Sequence, residues 1–189
     1  MKYVLGVFGV FVVAILAIIL VTRGRGGGPD QEGERQIVLS EEAKPGTSAA
    51  FTTQGQLVGE NLRRSIRVKV SEEERRLEIL AGYDEAVERS FVFANTPAAY
   101  ETFLVALEQA GFTREVISRI EDERGACPLG KRYIYEFKEF SQLLIRLWDT
   151  SCGKSEGETF GGDSTTIRRL FEGQIPDYRD KVREVDLNP

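Results

Sequence analysis

The two cysteines of this 189-residue chain enclose the segment that most constrains its fold. Residues 126–153 read ACPLGKRYIYEFKEFSQLLIRLWDTSCG, with an apolar run on each side of a polar midpoint. A turn over residues 138–141 would make this segment a β-hairpin in which Cys127 faces Cys152, within reach of a disulfide. The chain-entropy model gives such a bridge about 3–4 kcal/mol of stabilisation. The alternative is two unrelated buried thiols.

The same hairpin predicts an interaction surface. Counted from that turn, Tyr135 faces Leu144 and Tyr133 faces Arg146, which places Tyr133, Tyr135 and Trp148 on one face. An exposed face rich in aromatic side chains is typical of a binding interface. The alternative is that both faces of the hairpin are buried in the core.

Residues 4–21 read VLGVFGVFVVAILAIILV and carry no charge. A helix of that length spans roughly 27 Å, which is close to the hydrocarbon thickness of a bilayer. No small-residue cleavage site follows, so the pattern favours a transmembrane signal anchor over residues 1–22 rather than a cleaved signal peptide. A buried core helix is the alternative. One predicted partner is therefore the lipid bilayer, through residues 4–21.

The orientation of this predicted anchor depends on two opposing signals. Residues 23–34 form a Gly-rich linker whose Arg23 and Arg25 favour a cytoplasmic domain by the positive-inside rule. A disulfide, in contrast, forms in an oxidising compartment. We give the disulfide more weight and expect a single-pass cell-membrane protein. Its N-terminus would lie inside, and residues 35–189 would form an extracytoplasmic domain.

Charge and composition narrow the chemistry that this domain can perform. Removing Lys2, Arg23 and Arg25 from the 25 basic residues leaves 22 against 30 acidic ones, a balance that disfavours nucleic acid as a partner. Without histidine, neither a Ser-His-Asp nor a Cys-His arrangement exists, and two cysteines are too few for a structural zinc site. We therefore predict no catalytic residue, metal or cofactor. The expected function is a non-catalytic interaction module with an unidentified protein partner.

The predicted elements follow the order strands, helix, strands, helix. That order is typical of an α+β fold, in which an antiparallel sheet carries two main helices on one face. In addition to the cysteine hairpin, short strands are predicted over residues 36–40, 49–53, 64–70, 76–81, 86–94 and 116–120. Across a charged turn at 71–74, Val68 would face Ile79.

Capping residues mark both predicted helices. Thr96 is a suitable N-cap before Pro97, and Gly111 ends the first helix. Ser164 or Thr165 would cap the second. The apolar stripes of these helices are interpreted as core packing rather than as cofactor sites.

The order of residues from Cys127 onward resembles that of subtilisin-inhibitor-like domains. Cys127-Pro128 is followed by Tyr133, a strand pair that contains Trp148, and a second cysteine. In that family the inhibitory loop begins at a Cys-Pro pair. The resemblance therefore implies protease inhibition as an alternative function, with an exposed loop formed by Pro128, Leu129, Gly130 and Lys131. The pattern RYIYEF…WDTSCG…TFGG also resembles a group of single-pass exported proteins of unknown function.

Overall fold

The computed structural model describes four parts of the chain: residues 37–118, 120, 122–153 and 157–188. They form an α+β domain with a six-stranded antiparallel sheet and two main helices, so the predicted fold class is confirmed at this level. The predicted anchor at 4–21 and the linker at 23–34 lie outside the described residues. Within the described ranges, no helix has both the length and the apolar character needed to cross a bilayer.

In the sheet, one central strand lies between a three-stranded meander and a two-stranded hairpin. After a 3-10 turn at Leu39–Glu41, the elements are β1 (Thr47–Gln54), β2 (Arg64–Ser71), β3 (Glu74–Ala81), β4 (Ala86–Ala94), α1 (Pro97–Gln109), β5 (Arg132–Glu139), β6 (Gln142–Thr150), α2 (Ser164–Glu172) and α3 (Tyr178–Val182). The strand order is β4-β3-β2-β1-β5-β6, and every neighbouring pair is antiparallel. All eight residues of β1 are buried, because β1 lies between β2 and β5.

One face of the sheet carries the apolar core, and both main helices pack against it. The strands contribute alternating buried side chains, among them Ala49, Phe51, Val68, Val70, Leu77, Tyr135, Phe137 and Leu147. In α2, the ring of Phe171 stacks on that of Phe51 with centroids 5.7 Å apart and meets Phe103 of α1 edge-on at 5.1 Å. Because strand side chains alternate, the intervening residues lie on the opposite face of the sheet.

The first main helix begins and ends as predicted. The Thr96 side chain accepts a hydrogen bond from the backbone N–H of Ala99 at 3.3 Å. At the other end Gly111 has a positive φ of 78°, and the N–H of Phe112 donates to the carbonyl of Leu107 at 3.0 Å. This is the Schellman arrangement, which satisfies carbonyls of the last turn.

The second main helix begins one residue earlier than predicted. Asp163, rather than Ser164 or Thr165, is its N-cap, and the Asp163 carboxylate accepts the N–H of Thr166 at 3.0 Å. A carboxylate at this position also interacts favourably with the positive end of the helix dipole. The correction is small and leaves the buried face of α2 unchanged.

Two segments predicted as strands are not strands in the described residues. The first predicted strand, at 36–40, instead leads into the 3-10 turn, and the N–H of Ser40 donates to Glu108 of α1 at 2.8 Å. The predicted strand at 116–120 is replaced by a single bridge between Glu115 and Phe160. Leu39 of the first segment is buried in the core, whereas Val116, Ile117 and Ile120 of the second are exposed. A short apolar run does not distinguish either setting from a strand.

The β2–β3 hairpin forms with a register that differs from the prediction by two residues. Val68 faces Leu77 rather than Ile79, because the two-residue turn at 72–73 is centred one residue earlier in the chain than the predicted pairing requires. Since side chains alternate with a period of two, a slip of two keeps each side chain on its predicted face.

The β5–β6 hairpin slips by three residues, and this does change the faces. Tyr135 faces Leu147 rather than Leu144, because the turn occupies only residues 140–141 and a bulge in β6 adds one more position. An odd slip exchanges the two faces of the second strand. Trp148 therefore lies on the opposite face from Tyr135, which corrects the predicted aromatic surface.

The predicted disulfide between Cys127 and Cys152 is present, with Cα atoms 5.8 Å apart. The cysteines lie beyond the ends of the two strands and are not a facing pair. A turn brings Cys127 back towards β6, and its carbonyl accepts the N–H of Gly130 at 3.0 Å. The bridge thus encloses both the loop that precedes β5 in the chain and the β5–β6 hairpin.

Gly130→Ala is expected to lower the free energy of unfolding by about 1–3 kcal/mol, because the new methyl group would overpack the bridge. A Cβ at this position would clash with the Cys127 sulfur and lie 2.6 Å from Ser151 Oγ. Urea denaturation of the oxidised protein measures the loss. As a control, Gly59→Ala meets only Asn61, at 3.4 Å, and should change stability by less than about 0.5 kcal/mol. Equal stability of the two variants would contradict this packing.

Candidate functional site

The sheet face opposite the helices carries a cavity of about 500 Å³. Strands β1, β2, β5 and β6 each contribute side chains to it, including Thr52, Arg67 and Glu136. The turn between β3 and β4 and the segment at 122–126 supply further lining residues. The floor of the cavity therefore consists of rigid strands, and its walls consist of loops.

Arginine dominates the lining of this pocket. Among the described residues, five arginines and three glutamates line it, an excess of two positive charges in a chain whose net charge is −5. The arginines are Arg63, Arg67, Arg124, Arg132 and Arg146. Such a concentration of one sign in a concave site attracts ligands of the opposite sign.

Two ion pairs, one of which has a buried carboxylate, attach the walls of the pocket to its floor. Glu123 is only 5% exposed, and both of its carboxylate oxygens lie 2.7 Å from Nη2 of Arg146 in β6. Glu85, in the turn between β3 and β4, pairs with Arg67 of β2 and accepts a hydrogen bond from Gln54 at 3.1 Å. Each pair crosses from a loop to a strand, so the pairs fix the shape of the pocket.

Two further arginines, Arg63 and Arg132, are buried without a carboxylate partner. They are 4% and 1% exposed, and neither forms an ion pair within the described part of the chain. Arg132 donates to the backbone carbonyls of Gly55 and Ala126. Its Nε, and Nε and Nη1 of Arg63, are buried without an acceptor among the described residues. Buried donors of this kind are costly and rare in folded proteins.

The charges of these two arginines also oppose each other. Burial lowers the pKa of Arg132 from its ordinary value, and the neighbouring charge of Arg63 lowers that pKa further. The guanidinium of Arg63 lies over the ring of Tyr83, 4.3 Å from the centroid, a cation–π contact that fixes its plane. Two like charges are thus held close together in a desolvated setting. An anion between them would offset both their mutual repulsion and the cost of burying them.

The aromatic residues predicted to form an interface are mainly core residues. Tyr135 is fully buried and stacks on Phe160 with centroids 3.9 Å apart. Trp148 is 1% exposed and lies on the other face of the sheet. Tyr133 is half-buried beside Phe51 on the helix-covered face. These three side chains therefore contribute to packing and do not form a single exposed patch.

The loop after Cys127 is exposed, and it is held at its base by the disulfide. Leu129 is 81% exposed at its tip, Pro128 is exposed beside it, and Gly130 and Lys131 are half-buried. The carbonyls of Pro128 and Leu129 accept hydrogen bonds from Leu57 and Gln56 at 2.9 and 2.8 Å. The loop is thus a fixed turn that presents one apolar side chain.

A second cluster of polar groups lies where β6 meets α2. The hydroxyl of Tyr135 donates to Asp149 Oδ1 at 3.0 Å and lies 2.7 Å from the hydroxyl oxygen of Ser164. Burial raises the pKa of Asp149 to about 6. The cluster joins the strand to the start of the helix. Sequence reasoning missed it because it depends on packing between distant elements.

Asp149→Asn is expected to stabilise the protein at pH 7 by roughly 1–3 kcal/mol. The fold raises the pKa of Asp149 from 3.8 to about 6, so its stabilising contribution is complete below about pH 4 and is lost as pH rises through 6. Urea denaturation between pH 4 and pH 7 measures the difference between wild type and variant. That difference should grow with pH, and parallel profiles would contradict the assignment.

The charged groups that line the pocket differ in whether they have a partner. Its carboxylates are in ion pairs: Glu85 with Arg67, Glu123 with Arg146, and Glu136 with Lys138 at 3.5 Å. In the ranges that the structure covers, no group of three or more histidine, cysteine, aspartate or glutamate side chains could hold a metal ion. The unpaired donors of the pocket remain its most distinctive chemical feature.

The role of this pocket has to be inferred from its own geometry. Protein-family models match no part of the chain, and no curated protein shows significant similarity to it. The pocket, the disulfide-held loop and the sequence patterns are therefore the features that indicate a function.

Proposed function

We propose that this chain is a membrane-anchored, extracytoplasmic binding module without catalytic activity, and that its partner contacts the arginine-lined pocket. One observation carries the proposal. The helices cover one face of the sheet, and the other face keeps a cavity of about 500 Å³ whose walls are fixed by ion pairs. Cavities of this size with a few convergent polar groups are typical of ligand sites.

The location of the domain is part of this proposal. The apolar run at 4–21 would anchor the chain, and the Gly-rich residues 23–34 would hold the domain away from the lipid. The disulfide between Cys127 and Cys152 supports an oxidising compartment. Alkaline phosphatase, which needs such a compartment, should be active when fused to the C-terminus of the full chain. An inactive fusion that is well expressed would contradict this orientation.

Photo-crosslinking in intact cells tests whether the pocket is the contact surface. A benzoylphenylalanine at Arg124, whose side chain is 87% exposed at the pocket, should form a defined adduct. The matched control is the same residue at Val92, which is 53% exposed on edge strand β4 and outside the pocket. Adducts at 124 that are absent at 92 support the proposal. Identical patterns at both positions, or none at 124, would argue against it.

Protease inhibition is a second candidate function, and the exposed loop favours it. Leu129 projects from a turn that the disulfide holds in place, as a side chain entering a protease specificity pocket would have to do. Titration of subtilisin-like proteases with the full chain in detergent should then show inhibition at micromolar concentration. Leu129→Asp should abolish that inhibition. No inhibition by the wild-type chain removes this candidate.

A further inference from the structure

We infer that Arg63 and Arg132 form a binding site for a dianionic phosphate group, so that the ligand of the pocket is a small phosphorylated molecule. The inference rests on the proposed binding function and names the chemistry of its ligand. It is carried by the position of the two side chains, by their unpaired donors and by the charge of the pocket.

The fold places both arginines beside the same end of strand β1, and both line the cavity. Arg63 immediately precedes β2, and Arg132 is the first residue of β5. Strand β1 lies between these strands, and its last residue, Gln54, faces Arg132 on one side and Ser65 on the other. Alternation puts Arg63 on the same face as Arg67, and Arg132 on the same face as Glu136. The two arginines thus flank the end of one central, fully buried strand.

Their unpaired N–H groups indicate what the site lacks. Three buried donors on these two side chains, Nε and Nη1 of Arg63 and Nε of Arg132, have no acceptor among the described residues. A phosphate group offers several strong acceptor oxygens, and guanidinium groups bind it through paired, charge-assisted hydrogen bonds. One bound phosphate could therefore satisfy donors on both arginines at once.

Charge selects a dianion over a monoanion. Arg67 and Arg146 are neutralised by Glu85 and Glu123, and Arg124 pairs with Asp122, where its Nε donates to Oδ2 at 2.7 Å. Arg63 and Arg132 are therefore the two lining arginines that remain without a carboxylate partner among the described residues. A carboxylate would neutralise only one of them, whereas a phosphate monoester carries about two negative charges at neutral pH.

The neighbouring side chains fit the rest of such a ligand. Tyr83 holds the plane of the Arg63 guanidinium and is itself 49% exposed, and Leu57 adds an apolar surface to the same lining. The cavity of about 500 Å³ is several times larger than a phosphate group and leaves room for an organic portion. Phosphate recognition would orient the ligand, and Tyr83 and Leu57 would contact its organic part.

Nuclear magnetic resonance titration of the full chain in detergent micelles tests this site with inorganic phosphate as the probe. The Nε–Hε signals of Arg63 and Arg132 should shift with increasing phosphate in the wild-type protein. Acetate at the same ionic strength should bind at least about 10-fold more weakly. Arg63→Gln should weaken phosphate binding by about 10-fold or more, because it removes charge-assisted hydrogen bonds. The control Arg183→Gln, in an exposed ion pair with Asp180 outside the pocket, should bind like wild type.

The outcomes separate this inference from the proposal on which it rests. If neither arginine signal responds to phosphate, or if acetate binds as tightly, the phosphate assignment is overturned. The wild-type spectra decide this even if Arg63→Gln fails to fold. A specific adduct from position 124 without a phosphate response would leave the binding function standing with a different ligand. A phosphate response lost only in the Arg63 variant supports the inference.

Discussion

Replacing Phe171 by alanine is expected to lower the free energy of unfolding by about 3–5 kcal/mol. Phe171 is fully buried, and its ring contacts those of Phe51, Phe103 and Phe112 with centroids 5.1–6.1 Å apart. It therefore links α1, α2 and the sheet, and its removal leaves a cavity that these elements cannot close. Guanidinium chloride denaturation measures the loss.

The control is the same substitution at an exposed phenylalanine, so that the two variants differ in the burial of the side chain that is removed. Phe140, in the turn between β5 and β6, is 76% exposed. Phe140→Ala should cost less than about 1 kcal/mol, since surface substitutions have small effects. Similar losses in the two variants would show that Phe171 does not hold the layers together.

The double replacement Cys127→Ser with Cys152→Ser has the second largest expected effect. It should lower the free energy of unfolding by about 3–4 kcal/mol, because the bridge closes a loop with a sequence separation of 25 and so restricts the unfolded chain. Thermal denaturation with and without reductant measures this. Reductant should destabilise the wild type by a similar amount and leave the variant unchanged. A wild-type protein that melts equally in both conditions would contradict the bridge.

Features determined by neighbouring residues were predictable from the sequence. Thr96 and Gly111 define α1 because caps depend on local backbone chemistry, and both caps are confirmed. The disulfide was predictable from the symmetry of the hairpin even though the register was wrong, because the turn after Cys127 compensates for the slip. Local patterns therefore gave the elements and the bridge.

Register and burial were less predictable, because they depend on turn length and on distant contacts. A slip of two in β2–β3 kept the faces, whereas the slip of three in β5–β6 moved Trp148 away from Tyr135. The sequence also cannot show which face the helices cover. The sequence pattern therefore predicted that the aromatic side chains form an exposed interface, whereas Tyr135 and Trp148 lie in the interior.

The arginine site could not be predicted from the sequence, because it forms only when β1 pairs with both β2 and β5. Arg63 and Arg132 are far apart in the chain and come together through that non-local pairing. A partial signal exists. Alternation traced back from Arg67 reaches Arg63, just before β2, and alternation traced back from Glu136 reaches Arg132, the first residue of β5. Only the structure reveals that both are buried without a carboxylate partner in the described residues.

A crystal structure of the full chain grown with saturating inorganic phosphate tests the central claim most directly. It should contain a phosphate with oxygens within hydrogen-bond distance, about 2.7–3.2 Å, of both Arg63 and Arg132 on the face of the sheet opposite the helices. A cavity without phosphate, with both guanidinium groups paired to carboxylates of the chain, would contradict the assignment of this pocket as an anion-binding site.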